Sequence, residues 1–219
     1  MARGNWDTIF RLGCDLPEDR HEWAMLGIKA ELVYNGIPQG GMEMDNPEFG
    51  VGTRSKVIAF QKSKGLTPDG EVGPITAHEL FKKRILAAEK QYRIEPGLLC
   101  KNQKLESGND PASLSPDGED RGLQQINRRW HPEVTDRMAW DPEFAIGYGA
   151  RYLANAYAIF RKEFPAASEE FVWDLALASY NVGTGPARTW GKAGRPQFGA
   201  DGKVITAWQY VMVVRRQKC

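Results

Sequence analysis

Residues 105–127 read LESGNDPASLSPDGEDRGLQQIN, and this stretch decides how the rest of the chain divides. Just upstream, Leu99, Asn102 and Glu106 recur at spacings of three and four, the repeat of one helical face, while Lys101 and Lys104 turn the other way. The spacing predicts a helix over residues 97–107. Gly108, Pro111, Pro116, Gly118 and Gly122 then interrupt any regular repeat, so a long irregular loop follows. Loops of this length within a domain are either functional or disordered. A Glu at the helix end that faces the apolar side loses water, and burial raises a carboxyl above the solvated pKa of about 4.3. Spacing alone does not single Glu106 out for chemistry. A solvent-exposed helix-end carboxylate is the plain alternative for a Glu taken alone.

Working outward toward the C-terminus, residues 141–164 place Ala145, Tyr148, Tyr152, Ala156 and Phe160 on one face. Asp141-Pro142-Glu143 opens that helix with an N-cap, a first-turn Pro and an acid at the positive end. Helices are also predicted over residues 171–181 and 205–216. Toward the N-terminus, residues 23–34 carry Leu26, Ala30 and Val33 as a helical stripe, and residues 35–52, NGIPQGGMEMDNPEFGVG, form a loop. Thr53 is expected to cap a helix whose Val57 and Phe60 share a face, with Gly65 as a left-handed C-terminal cap. After the turn Thr67-Pro68-Asp69-Gly70, Gly73-Pro74 opens a helix running through Leu80, Phe81, Ile85 and Ala88. Charge-rich residues 89–95 precede Pro96 and mark the expected boundary. The fold class is mainly α, with a small three-helix module in residues 1–90 and a helical domain in residues 91–219.

Composition removes whole classes of function. With 29 Lys+Arg against 28 Asp+Glu, 42% hydrophobic and 26% charged residues, the balance is that of a globular protein. A net charge of +1 provides no general field for a polyanion, so no nucleic-acid partner is expected. The longest apolar run, residues 210–214, is far below the roughly 18 residues of a membrane span, so no membrane insertion is expected. Residues 1–7 lack the apolar stretch of a secretory signal, and the chain is expected to remain in the compartment where it is made. Cys14, Cys100 and Cys219 are odd in number and widely spaced, and are read as free thiols. His21, His78 and His131 are scattered with no close ligand pair, so neither a metal nor a cofactor is expected.

Residues 49–80, FGVGTRSKVIAFQKSKGLTPDGEVGPITAHEL, resemble the three-helix peptidoglycan-binding module of bacterial and phage cell-wall enzymes. The resemblance rests on Gly52-Thr53, Phe60-Gln61, Gly65-Leu66, Asp69-Gly70, Gly73-Pro74, Thr76 and Leu80. Singly, these residues are caps and turns, and they identify the fold without naming the wall contacts.

The segments LESGND and RGLQQIN, followed by Ser179-Tyr180-Asn181, resemble the lytic transglycosylases and goose-type lysozymes across residues 96–216. The resemblance implies a lysozyme-like helical domain that cleaves the MurNAc-GlcNAc β-1,4 bond of peptidoglycan, with Glu106 as general acid. It implies substrate-binding roles for Ser115, Gln125 and Tyr180, the last orienting the catalytic carboxyl. Ser115 before Pro116 is equally a turn residue, and Tyr180 is equally a core aromatic. Ser179 stands where the family usually has Ala, and Gln124 where Met is more common. Inverting or retaining hydrolysis needs a second carboxylate about 6.5–9.5 or 5–5.5 Å away, whereas a transglycosylase uses the substrate's own 6-hydroxyl and leaves 1,6-anhydromuramic ends. Asp110, Asp117, Glu119 and Asp120 are the loop acids open to the hydrolytic role, although such a cluster is more often solvated surface.

The arrangement resembles phage endolysins that act on Gram-negative hosts: a monomer held in the host cytoplasm until the membrane is breached, then acting on the wall. A virion-associated lysin or an unusual bacterial enzyme is the alternative. Two other classes are a thiol peptidase using Cys100 with His131, which lacks a matching signature, and a non-catalytic wall-binding protein.

Overall fold

A computed structural model describes residues 10–11, 19–194 and 202–219, with backbone alone for residues 19 and 202–206. The order is α1 (Asp19–Tyr34), α2 (Val51–Ser63), α3 (Pro74–Tyr92), α4 (Leu98–Ser107), β1 (Asp120–Arg121), β2 (Ile126–Asn127), α5 (Asp136–Trp140), α6 (Pro142–Glu163), α7 (Glu169–Val182), α8 (Thr184–Ala193) and α9 (Gly202–Arg216). The mainly helical class is as expected. The chain packs as two compact units, residues 1–85 with 106–146 and residues 86–105 with 147–219. This partition by packing is distinct from the boundary expected near residue 90.

In the first unit, α1 buries Ala24, Met25, Ile28 and Leu32, while Val33 is 39% exposed and Ala30 faces solvent. The expected stripe of Leu26, Ala30 and Val33 is thus not the buried face. Apolar residues recur at helical spacing on two sides of α1, and tertiary packing selects the other side. Buried Lys29 donates from Nζ to the carbonyls of Glu43 (2.9 Å) and Asn46 (2.5 Å), fastening the loop of residues 35–50 to α1. Burial pushes its pKa down, against the pull of Glu43, Glu48 and Asp45.

Helix α2 starts earlier than expected. Gly50, in extended conformation, is its N-cap, and Thr53 is a buried residue inside it. Val57 and Phe60 are fully buried, and Gly65 adopts the left-handed conformation (φ 68°) just past the helix end, as expected. Buried Gln61 organises the turn that follows. Its Oε1 accepts from the Gly70 amide (2.9 Å), and its Nε2 reaches Asp69 Oδ1 (2.7 Å), Glu71 O (2.9 Å) and Thr76 Oγ1 (3.1 Å). A single amide thus replaces the water that turn backbone groups would otherwise need.

Glu31 is 1% exposed and ion-paired through Oε1 with Arg84, which also reaches Glu143 at 2.9 Å. Burial outweighs the Arg84 charge and lifts the Glu31 carboxyl from 4.5 to about 7. The folded state therefore holds this proton between pH 4.5 and 7 while the unfolded chain releases it, so stability falls as pH rises through that window. The full loss, about 3 kcal/mol, is present above pH 7. Melting temperature should drop between pH 5 and 7.5, and drop less in Glu31→Gln. An equal fall in that variant would assign the effect to other groups.

The second unit has a helical core of α7, buried from Val172 through Ser179, with α8 and α9 against it. Ser168 caps α7 by accepting from the Phe171 amide (3.2 Å), while in the first unit Asp141 caps the start of α6 by accepting from the Phe144 amide (3.0 Å). Trp190 is fully buried between edge-on contacts with Phe171 (5.8 Å) and Trp208 (6.0 Å). The charge-rich segment beginning at Glu89 starts inside a helix, because α3 continues to Tyr92. Glu89 is buried and accepts the amides of Gly97 (2.8 Å), Leu99 (3.0 Å) and Cys100 (3.3 Å), capping α4 from a distance. Burial raises its pKa, against those amides and Lys101.

Cys100 and Cys219 form a disulfide with Cα atoms 5.9 Å apart, which corrects the free-thiol reading for both. The thiol-peptidase role for Cys100 falls with it. Cys14 lies outside the described residues. Close by, Tyr210 Oη donates to Asn102 Oδ1 (2.6 Å), and Arg215 joins Asp174 (2.9 Å) and Glu95. These contacts fix α9 onto its own unit. Among the described residues, no helix is long and apolar enough to cross a membrane.

Candidate active site

Glu106 occupies the penultimate position of α4 and is 7% exposed. Leu99 and Asn102 on the same face are fully buried and Lys104 is exposed, so the spacing correctly places Glu106 on the inward side. Immediately after it, buried Ser107 donates from Oγ to the Leu123 carbonyl (2.8 Å) and accepts from the Asn109 amide (3.2 Å). This pair ties the helix end to the Gly122-Leu123 segment 16 residues away. Asn109 takes the left-handed conformation at φ 72°, which Asn tolerates better than most residues.

The loop beyond is closed by its own polar groups. Asp120 pairs with Asn127 and Arg121 with Ile126 in the two-stranded β1-β2 sheet, and Leu114 bridges to Arg121. Asn127 Nδ2 donates to Asp120 Oδ1 at 2.6 Å. The Gly122 amide donates to the Ser113 carbonyl at 2.8 Å, with Gly122 at φ 70°. Arg121 and Arg128 both reach Asp136 in α5, at 2.9 and 2.8 Å. The loop is an ordered platform, not a solvated spacer.

Within this platform Ser115 is 8% exposed; its Oγ donates to Asp117 Oδ1 (2.5 Å) and accepts the Asp120 amide (2.9 Å). Gln125 is 7% exposed at φ 47°, and its Nε2 donates to the carbonyls of Gly122 (3.0 Å) and Ser113 (3.3 Å). Ser115 and Gln125 are thus brought to the same stretch of loop, each with polar atoms engaged in holding it. Of the four loop acids, Asp117 and Glu119 are exposed and Asp120 is half-buried, whereas Asp110 is 3% exposed and accepts the Ala112 amide (2.9 Å). The expectation of solvated acids fails at Asp110, which buries as a cap of the turn that follows it.

Tyr180 belongs to the second unit and is half-buried near the end of α7, with its ring edge-on to Tyr152 at 5.2 Å. Tyr152 Oη donates to the Ser179 carbonyl (3.0 Å), and burial raises the Tyr152 pKa. Spacing pointed to Tyr152 only as a core residue. Its fixing of the Ser179 backbone beside Tyr180 follows from tertiary packing alone. Gln103 and Gln124 are fully buried beside Asn102 and Leu123 in sequence, and periodicity carried no signal for either. Among the described residues no group of His, Cys, Asp and Glu has the geometry to hold a metal ion.

Residues 83–198 match the family described as the transglycosylase SLT domain, and residues 28–80 match that described as a peptidoglycan binding domain. Over 183 residues the chain is 36% identical to the membrane-bound lytic murein transglycosylase F 2 of Alkalilimnicola ehrlichii, an alignment covering 78% of this chain and 38% of that protein. The chain thus spans about two-fifths of that relative's length. Two motif readings from separate parts of the sequence agree with two separate family matches, and the larger takes in more than half of the chain: the protein belongs to the transglycosylase SLT domain family, with a peptidoglycan binding domain preceding that region.

Proposed function

We propose that this chain cleaves the MurNAc-GlcNAc β-1,4 bond of peptidoglycan glycan strands, with Glu106 as the acid that protonates the leaving oxygen. The observation that carries the reading is a Glu buried to 7% at the C-terminal end of α4, against a loop held by its own hydrogen bonds. The role requires that the carboxyl keep its proton until the substrate is bound, and removal from water is the means a fold has of achieving that. The 6-hydroxyl of the muramoyl residue then attacks the oxocarbenium-like centre. The glycosidic C–O bond breaks, the leaving sugar keeps the proton from Glu106, and the carboxylate takes the proton of the attacking hydroxyl. No water is consumed. Asp110, Asp117 and Asp120 each hold a turn or the β1-β2 loop through Oδ1, a structural use that accords with a reaction in which none of them activates water. Gln125 and Ser115 line the loop that would meet the glycan, and Tyr180, in the second unit, is the third residue we assign to substrate binding.

The module of residues 28–80 would hold the enzyme on its insoluble substrate, raising the local concentration of the catalytic region. The biological setting we infer is an endolysin that acts as a monomer once the inner membrane is breached. The Cys100–Cys219 disulfide favours such an oxidising destination. Mass spectrometry of muropeptides tests the chemistry. Products should end in 1,6-anhydromuramic acid, lighter by one water than hydrolysed ends, and Asn or Gln at each of Asp110, Asp117, Glu119 and Asp120 should leave activity within about tenfold. Reducing ends, with activity lost on removing one of these acids, would establish a hydrolase instead.

A further inference from the structure

The Cys100–Cys219 disulfide joins residues 119 apart in sequence, and both lie in the second unit. Its two cysteines differ in access. Cys100 is fully buried in α4, whereas Cys219 is exposed beyond the end of α9. Helix α9 is held to its own unit by buried Ala207, Val211 and Val214, and by Arg215 on Asp174 (2.9 Å) and Glu95. The residues after it have lighter ties. The Gln217 amide donates to the Val214 carbonyl (3.0 Å), and the exposed Lys104 Nζ donates to the Lys218 carbonyl (3.2 Å). Opening the disulfide would therefore release residues 217–219 from α4 while α9 stays packed.

Cross-linking two distant residues removes conformations from the unfolded chain, and the gain in stability grows with the length enclosed. That gain exists only while the bond is closed, so it follows the redox poise of the surroundings. Which sulfur exchanges first is set by access. We propose that Cys100 and Cys219 form a redox switch of stability, in which Cys219 is the thiol that exchanges and Cys100 the thiol that resolves. The oxidant is a disulfide of the glutathione or dithiol-oxidoreductase class. The Cys219 thiolate attacks it, breaking its S–S bond, forming a mixed disulfide at Cys219 and releasing one thiol. The Cys100 thiolate then attacks Cys219 Sγ, closing the intramolecular bond and displacing the second thiol. The two cysteine protons end on the two released thiols, and the pair passes two electrons to the oxidant. A reducing thiol reverses the sequence by entering at Cys219. The chain is thus weaker in a reducing compartment and hardens in an oxidising one, whatever bond its catalytic region cleaves.

Thermal melts of the full chain, oxidised and in excess dithiol, test the switch. The oxidised protein should melt at least about 5 °C above the reduced one, and glutathione disulfide should restore the higher value after the dithiol is removed. Cys219→Ser alters an exposed residue, so it removes the cross-link without disturbing the core. It should melt with the reduced parent and ignore the dithiol. The order of exchange is read separately, on the folded, reduced parent. A brief pulse of an alkylating reagent, followed by peptide mass spectrometry, should label Cys219 at least about tenfold faster than Cys100. A parent whose melt is unmoved by the dithiol, a Cys219→Ser protein that still responds to it, or equal labelling of the two thiols would overturn the proposal.

Discussion

Glu106→Gln should lower the rate of wall cleavage by about 10²–10⁴-fold while leaving the protein folded. An amide fills the same buried volume and keeps a hydrogen-bonding side chain, but it has no acidic proton to give the leaving oxygen. Each tenfold of rate is 1.36 kcal/mol of barrier, so the loss corresponds to about 3–5 kcal/mol of transition-state stabilisation. The variant should melt within a few degrees of the parent, because glutamine matches glutamate in volume and keeps an oxygen acceptor in the same place. Turbidity of purified walls read beside a thermal melt separates chemistry from folding. A folded variant retaining more than about a tenth of parental activity would remove Glu106 from its role. Glu106→Asp sharpens the test: it keeps the proton and withdraws it by one methylene, so an intermediate loss points to a positioned acid, while a loss equal to Gln points to distance alone.

The parts of this site that the sequence made legible are those set by local spacing. Glu106 shares a helical face with Leu99 and Asn102, and a repeat of three and four suffices to turn it inward. Gly65, Pro74 and Asp141 mark helix ends because backbone conformation and capping are decided within a turn of chain. What escaped was decided by distant residues. Cys100 and Cys219 lie 119 residues apart, and nothing near either one names the other. Lys29, Glu31 and Glu89 look like solvated charges on helices until their partners arrive from the 35–50 loop, from Arg84 and from the start of α4. Helix α8 has no counterpart in the helices predicted over residues 171–181 and 205–216, and Gly183, Gly185 and Pro186 at its start disfavour a helix by residue type. Gly183 at φ 81° ends α7 and precedes α8, and Pro186 falls in the first turn, where its missing amide costs nothing.

The loop's dependence on backbone geometry leads to the second large effect, at Gly122. Its φ of 70° lies in the left-handed region, and a Cβ there would stand 2.0 Å from the Ala139 carbonyl oxygen and 3.0 Å from its carbon. That obstacle is main chain of α5, whose Ala139 amide is itself bonded to the Thr135 carbonyl (3.0 Å), so it cannot swing aside as a side chain would. Gly122→Ala should therefore cost about 1–2 kcal/mol for the conformation and a further 1–3 for the collision. The loop must move off α5, which strains the Gly122 amide bond to Ser113, the Gln125 clamp on the Gly122 carbonyl and the Ser107 tie to Leu123 beside Glu106. Activity should fall at least tenfold, since a misplacement near 1 Å can cost about 10²-fold. Gly118→Ala is the matched control: φ is 73° and nothing lies within 4 Å of the added Cβ, so only the conformational cost applies. Urea unfolding should rank Gly122→Ala below Gly118→Ala by at least 1 kcal/mol, with wall-lysis rates in the same order. Equal losses in the two variants would mean that the approach of the loop to α5 is not what holds the site together.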